Sequence, residues 1–164
     1  MSTTRPTVPF ASPASVVSRL PTGSSSTAPP RQELPVPAYA LPHRTPRELI
    51  ALARQGLAEA AELRTDGMRY ATAHLAALRA AAAVLAARAT PAPPGRRSRV
   101  TNVWTLLVLV APELTEWATF FAAGASKRAS AEAGIPRVVT AREADDMIRA
   151  AGQFVTVAAQ VVER

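Results

Sequence analysis

The stretch MRYATAHLAALRAAAAVLAARA, residues 68–89, decides the fold of this chain. Alanine has the highest intrinsic helix propensity, so this alanine-rich run predicts one long, stable helix. Its core seam is narrow and follows three- and four-residue steps through Ala71, Leu75, Leu78, Ala82 and Leu85. Alanine at facing positions also lets neighbouring helices approach closely, which is typical of a tightly packed helical bundle.

Two capping boxes mark the start of the first and the last helix. The first helix begins at Thr45-Pro46-Arg47-Glu48, where a capping box is combined with a proline at the first helical position. The helical pattern of this first helix is interrupted at Thr65-Asp66-Gly67. Thr140-Ala141-Arg142-Glu143 repeats the capping pattern. The apolar set behind it keeps helical spacing over five turns: Ala144, Met147, Ile148, Ala151, Phe154, Val155, Ala158, Val161 and Val162.

The middle of the chain predicts an exposed proline-rich loop, at residues 90–99, and then a broken helix. Thr101 or Asn102 can cap a third helix, which Pro112 ends or kinks. The helix resumes there and ends at Gly134-Ile135-Pro136. Four aromatic residues place the centre of the core here, namely Trp104, Trp117, Phe120 and Phe121. No segment has a strand pattern, so we expect an all-α fold, an antiparallel bundle of four to five helices.

Residues 1–44 differ in composition from the rest of the chain. They contain nine of the 15 prolines together with many Ser and Thr. Such a segment cannot bury enough apolar surface to offset its ordering entropy, so we expect a disordered tail at 1–44 and one bundle domain at 45–164. Pro35-Val36-Pro37 and Tyr39 could dock on a partner, which leaves open a structural adaptor that acts through its Pro-rich tail.

Composition excludes most enzyme classes. With no Cys and only His43 and His74, we expect no thiolate nucleophile, no metal site and no cofactor. The net charge is +7, of which +3 falls on residues 1–44 and +4 on the bundle, so the bundle permits nucleic-acid contact without requiring it. No signal peptide is apparent, and the longest strongly apolar run, Val103–Ala111, is far short of the ~20 residues that span a bilayer. We therefore expect a cytoplasmic protein with no membrane contact.

Three segments resemble, in order, a HEPN domain, and more particularly an uncharacterised actinobacterial HEPN-like family. They are RYATAHLAALRAAA at 69–82, APELTEWATFFAAG at 111–124 and VVTAREADD at 138–146. The resemblance covers residues from about 45 to 162. Many HEPN proteins are metal-independent endoribonucleases, toxins or nucleotidyltransferase partners, and others are non-catalytic binding modules.

The HEPN ribonucleases carry an Arg followed after four to six residues by a His on the last long helix, usually joined across a dimer. The last helix here has Arg149 and no His after it. The resemblance therefore implies a binding module without catalysis. Its partner would be a protein, a nucleic acid or a nucleotide, and an alanine-rich helix face would allow a homodimer.

Arg69 and His74 satisfy the same spacing on the second helix, and they define an alternative: a metal-independent endoribonuclease or toxin component. The imidazole and the guanidinium could share acid–base duty and charge stabilisation during attack by a ribose 2′-hydroxyl. A five-residue step turns about 140° around a helix, so a second subunit would have to bring the groups together. In the competing interpretation His74 borders the core and Arg69 is a solvated helix residue.

Two further clusters of charged residues are visible in the sequence, one around the proline-rich loop and one on the last helix. Arg88, Arg96, Arg97 and Arg99 surround the proline-rich loop and form a candidate nucleic-acid site, although a solvated loop of Arg-biased composition is the favoured explanation. On the last helix, four-residue steps predict two stabilising ion pairs, Arg142 with Asp146 and Asp145 with Arg149.

Overall fold

The computed structural model of the protein describes residues 43–90 and 102–164. Within these ranges the chain forms five α-helices and one short 3-10 turn, with no residue in a strand. The elements are α1 (Pro46–Glu62), α2 (Asp66–Arg88), α3 (Val103–Val110), the 3-10 turn (Pro112–Leu114), α4 (Thr115–Glu132) and α5 (Ala141–Glu163). The predicted all-α bundle and its break at Pro112 are confirmed. Most of the predicted tail and most of the predicted loop lie outside the described residues.

The helix starts follow the predicted caps. The hydroxyl of Thr45 accepts from the amide of Glu48 at 3.3 Å, and the Glu48 carboxylate accepts from the Thr45 amide at 2.8 Å. Thr140 and Glu143 make the same reciprocal pair at the start of α5. At α3 the cap is Asn102, whose side chain accepts from the amide three residues further on at 2.9 Å. These caps satisfy amides that have no partner inside their helices.

The central helix is α2, which packs against α1, α3, α4 and α5. The predicted narrow seam is therefore wrong in part, because Leu75, Leu78 and Ala82 are only half-buried. The fully buried positions of α2 are mainly alanines, at 73, 76, 77, 80, 81 and 83. A narrow apolar seam is expected when only one face of a helix is covered, but α2 is covered on several faces. The small alanine side chains allow its four neighbouring helices to approach closely.

Helix directions bring three helix ends together at one end of the bundle. Three residues, 63–65, join α1 to α2, so the two run antiparallel. A Cβ added to Gly67 would lie 3.5 Å from the Cβ of Ala131, which places the start of α2 beside the end of α4. Arg69 pairs with Asp145, which places the start of α5 there as well. This arrangement places Arg69 where the three helix ends meet.

Aromatic rings form the centre of the core. Trp104 of α3 stacks on Phe121 of α4 with centroids 5.2 Å apart, and Phe154 of α5 lies 5.2 Å from the same ring. Trp117 is half-buried. The predicted core position of Phe120 is wrong, because its side chain is 47% exposed. One residue step turns about 100° around a helix, so Phe120 cannot share the buried face of Phe121.

Candidate functional site

His74 lies at the middle of the bundle and is 0% exposed, the only buried polar residue among those described. Its ring meets Trp104 edge-on at 5.8 Å and Phe121 edge-on at 5.9 Å. Its Nε2 lies 2.8 Å from the backbone carbonyl oxygen of Phe121. Because a carbonyl oxygen can only accept, Nε2 carries a proton and donates it to this bond.

The other ring nitrogen of His74 has no hydrogen-bond partner, although it is buried. Burial lowers the pKa of His74, and the nearby Arg128 lowers it further, while the hydrogen bond to Phe121 opposes the shift. The imidazole is therefore neutral near pH 7 and closed to solvent. A general acid or base has to reach the proton that it transfers, so this geometry favours a structural role for His74.

Arg69 occupies a different environment from His74. It lies on the surface of α2, where its guanidinium donates to Asp145 at 2.5 Å and to Asp66 at 3.4 Å. The hydrogen bond to Asp145 raises the pKa of Arg69. Within one chain the structure does not bring Arg69 and His74 together: one joins α2 to α5 at the surface, and the other joins α2 to α4 inside. Their catalytic use stays a prediction.

The candidate nucleic-acid arginines are only partly described. Arg88, at the end of α2, pairs with Glu113 in the 3-10 turn, so part of its charge is already compensated. Arg96, Arg97 and Arg99 lie outside the described residues.

The charged face of α5 is paired differently from the prediction. Asp146 lies 3.9 Å from Arg142, which is a predicted pair. It also binds Arg149 at 2.8 Å, which was not predicted. The predicted pair of Asp145 with Arg149 is wrong, because Asp145 binds Arg69 of α2 instead. Among the described residues, no group of three or more His, Cys, Asp and Glu side chains could hold a metal ion.

Two concave surfaces were not predicted. The first, here the α3–α4 crevice, has a volume of about 290 Å³ and is lined mainly by Trp104, Val108, Leu109, Ala118, Thr119 and Ala122. The second, here the terminal cavity, has a volume of about 480 Å³ and lies where α2 starts and α4 ends. The sequence held one signal for the first: α3 is apolar at every position except Thr105, and an all-apolar helix needs cover on every side.

By length and composition α2 could cross a membrane, although this is weak evidence for one. About 61% of its apolar window is buried inside the bundle. A helix at the centre of a helical core passes the same test, and α2 is that helix here.

Comparison with known proteins places these features in a family. The family model described as SAV_6107-like HEPN matches residues 60–159, well over half of the chain. No curated protein and no solved structure matches the chain. The matched range holds His74, Arg69 and all the residues that line the crevice and the cavity, so the sites described above lie within the family domain. The chain belongs to the SAV_6107-like HEPN family.

Proposed function

We propose that this protein is a non-catalytic HEPN module that acts by binding a protein, and that a second copy of the chain is its first partner. The observation that carries the proposal is that residues 43–90 and 102–164 leave part of α3 uncovered. Trp104, Leu106 and Leu107 face the core, whereas Leu109 is 43% exposed beside an apolar crevice. Contiguous apolar surface that is open to solvent, here the crevice with Leu109 in its lining, is typical of protein interaction sites.

A second copy suits this surface because the same patch offers both a protrusion and a recess. A two-fold interface pairs a patch with itself, so the exposed Leu109 of one subunit can meet the α3–α4 crevice of the other. Among the described residues the lining is mostly apolar, and its polar members there, Asn102, Thr105 and Thr119, carry no charge. Two such patches can therefore associate without burying like charges against each other. The dimers known among HEPN proteins support the same choice.

The nuclease alternative has less support from the geometry. His74, the only histidine in the family-matched range, is sealed in the aromatic core and hydrogen-bonded to a backbone carbonyl. Bringing it to an RNA phosphate would require the bundle to open, with loss of the contacts that His74 makes to Trp104 and Phe121. Binding needs no such opening, because Leu109 and the crevice are already at the surface.

The test is the oligomeric state of the purified protein, measured by sedimentation velocity across a concentration series. We expect a monomer–dimer equilibrium in the unmodified protein and a shift to monomer in Leu109→Glu. Ile135→Glu is a matched control, since Ile135 is also an exposed aliphatic residue but does not line the crevice. A protein that stays monomeric throughout, or a Leu109→Glu variant that dimerises normally, would contradict the proposal.

A second assay addresses catalysis. Total RNA is incubated with the protein in EDTA, and Arg69→Gln serves as the diagnostic variant. Arg69 is partly exposed and lies outside the core, whereas His74→Ala would leave a cavity in the core and confuse loss of activity with loss of fold. Cleavage by the unmodified protein that disappears in Arg69→Gln would replace the binding proposal with the nuclease alternative.

A further inference from the structure

The terminal cavity is the larger of the two concave surfaces. It lies between the first turn of α2, the last turn of α4 and the connection from α4 to α5. Its volume of about 480 Å³ falls in the range of about 300–1,000 Å³ that is usual for small-molecule sites. It shares no lining residue with the α3–α4 crevice, so its use is independent of the proposed dimer.

The walls of this cavity include apolar side chains that nothing in the described bundle covers. Met68 is 45% exposed and Ile135 is 53% exposed. These are two of the four large hydrophobic residues that are exposed in the described part of the chain. Pro136 and Val138 extend the same lining. An apolar ligand body would remove both exposed side chains from water.

Three charged residues of the described part of the chain line the cavity, and two of them are paired with residues outside the lining. Asp66 is paired with Arg69 at 3.4 Å, and Glu132 is paired with Arg128 at 2.9 Å. Arg137 is the third charged residue of the lining, and it has no ion-pair partner among residues 43–90 and 102–164. Each of these carboxylates has an arginine beside it, although Asp66 shares Arg69 with Asp145. The charged group that the described residues leave without an ion-pair partner is therefore the guanidinium. It complements an anion, and its planar fork can donate two parallel hydrogen bonds to a carboxylate.

Backbone conformation holds Arg137 at this place. Its φ is 58°, in the left-handed region that side chains other than glycine rarely adopt, and Gly134 three residues earlier has a φ of 75°. Arg137 therefore sits in a tightly specified turn. Asn tolerates the left-handed region better than most residues do, so Arg137→Asn removes the charge with little added backbone strain.

We propose that the terminal cavity binds a small organic carboxylate with an apolar body. Arg137 receives the carboxylate, and the apolar body packs along Met68 and Ile135. The two requirements come from separate observations, the uncompensated charge and the uncovered aliphatic side chains, and a medium-chain carboxylate meets both.

The test is calorimetric titration of the full chain with hexanoate, hexanamide and acetate. Hexanamide removes the charge and keeps the length, whereas acetate keeps the charge and removes the apolar body. Each ligand is titrated into the unmodified protein, into Arg137→Asn, and into Arg54→Asn as a control for charge on the remote surface of α1. Circular dichroism and thermal melting confirm that the variants fold.

We expect hexanoate to bind more tightly than either comparison ligand. The preference over hexanamide should be about tenfold, the size expected for one charge-assisted hydrogen bond to a partly exposed arginine, and should shrink as salt is added. It should vanish in Arg137→Asn and persist in Arg54→Asn. The proposal is overturned if hexanoate does not bind, if hexanamide binds equally well, or if a folded Arg137→Asn retains the preference.

Discussion

The Nε2 of His74 donates to the carbonyl oxygen of Phe121 across 2.8 Å, and this bond ties the middle of α2 to the middle of α4. Its acceptor lies within a helix, so the imidazole adds a tertiary link to a carbonyl that is already part of α4. The second ring nitrogen faces no acceptor. A proton added there would place an unpaired charge in a closed aromatic environment, which makes the bundle sensitive to acid.

We expect the free energy of unfolding to fall as the pH drops below about 6.5, the pKa of an unfolded histidine. Burial lowers the pKa of His74 in the folded state, so the unfolded state binds more protons in this range. The stabilisation is present above about pH 6.5 and is lost on acidification, by at most about 1.4 kcal/mol per pH unit. Urea unfolding from about pH 7.5 to about pH 4.5 measures the slope.

His74→Gln is the matching variant for this prediction. Its amide can still donate to Phe121 but does not titrate, so the slope between about pH 6.5 and about pH 4.5 should flatten. An equal slope in the variant would show that His74 is not the group responsible. The carboxylates of Glu48 and Glu113 also have pKa values lowered from 4.5, so they add acid sensitivity towards the lower end of that window and below it, equally in the unmodified protein and in the variant.

Two helical glycines should respond to alanine in opposite directions. A Cβ on Gly152 would meet no heavy atom within 4 Å, so Gly152→Ala should gain helix propensity and stabilise the protein by up to about 1 kcal/mol. A Cβ on Gly124 would lie 2.7 Å from the hydroxyl oxygen of Tyr70 and 3.3 Å from a ring carbon of His74. Gly124→Ala should therefore destabilise by about 1–3 kcal/mol, as overpacking does. Chemical unfolding measures both, and the same sign for both variants would contradict the packing described.

The two tryptophans should report different environments. Trp104 is buried and stacked on Phe121, whereas Trp117 is half-buried. In Trp117→Phe, which keeps Trp104, emission should be blue-shifted and acrylamide quenching weak. In Trp104→Phe, which keeps Trp117, emission should be redder and quenching stronger. Similar quenching constants in the two variants would argue against the placement of α3 on the core.

Glu143 should keep its charge to unusually low pH. The hydrogen bond from Lys127 is the largest cause, and bonds from the backbone and hydroxyl of Thr140 add to it, so the pKa of Glu143 is lowered to about 2. Its contribution to stability is fully present above the ordinary pKa of 4.5 and is lost progressively as the pH falls from there to about 2. An NMR titration of the side-chain carboxyl should show the pKa rising in Lys127→Met by more than in Thr140→Ala. The reverse order would mean that the cap, and not the lysine, controls this group.

Local signals in the sequence predicted much of the fold. The Thr45 and Thr140 capping boxes involve residues three apart, so sequence neighbours alone determine them. The burial of Leu75 and the partner of Asp145 depend on tertiary packing. The spacing of apolar residues along α2 does not indicate how many helices will pack against it. Helical spacing predicted that Asp145 would pair with Arg149. Its actual partner, Arg69, lies on another helix and is brought close only by the fold.

The candidate sites were less predictable for the same reason. The spacing of Arg69 and His74 is visible in the sequence. Packing, however, places Arg69 in an ion pair between α2 and α5 and His74 in a buried hydrogen bond to α4. The apolar composition of α3 indicates that it needs cover, although not which side would be left open. Nothing in the sequence near Arg137 indicates that both neighbouring carboxylates would be paired elsewhere.

The chain has a single lysine, Lys127, and the fold places its amino group against Glu143. This ion pair raises the pKa of Lys127, which keeps the nitrogen protonated and without a free lone pair. Reagents and enzymes that acylate lysine act on the neutral amine. The protein is therefore poorly suited to ε-amino coupling chemistry, and attachment of a label or an immobilising support at Lys127 would also remove the cation that holds the start of α5 to α4.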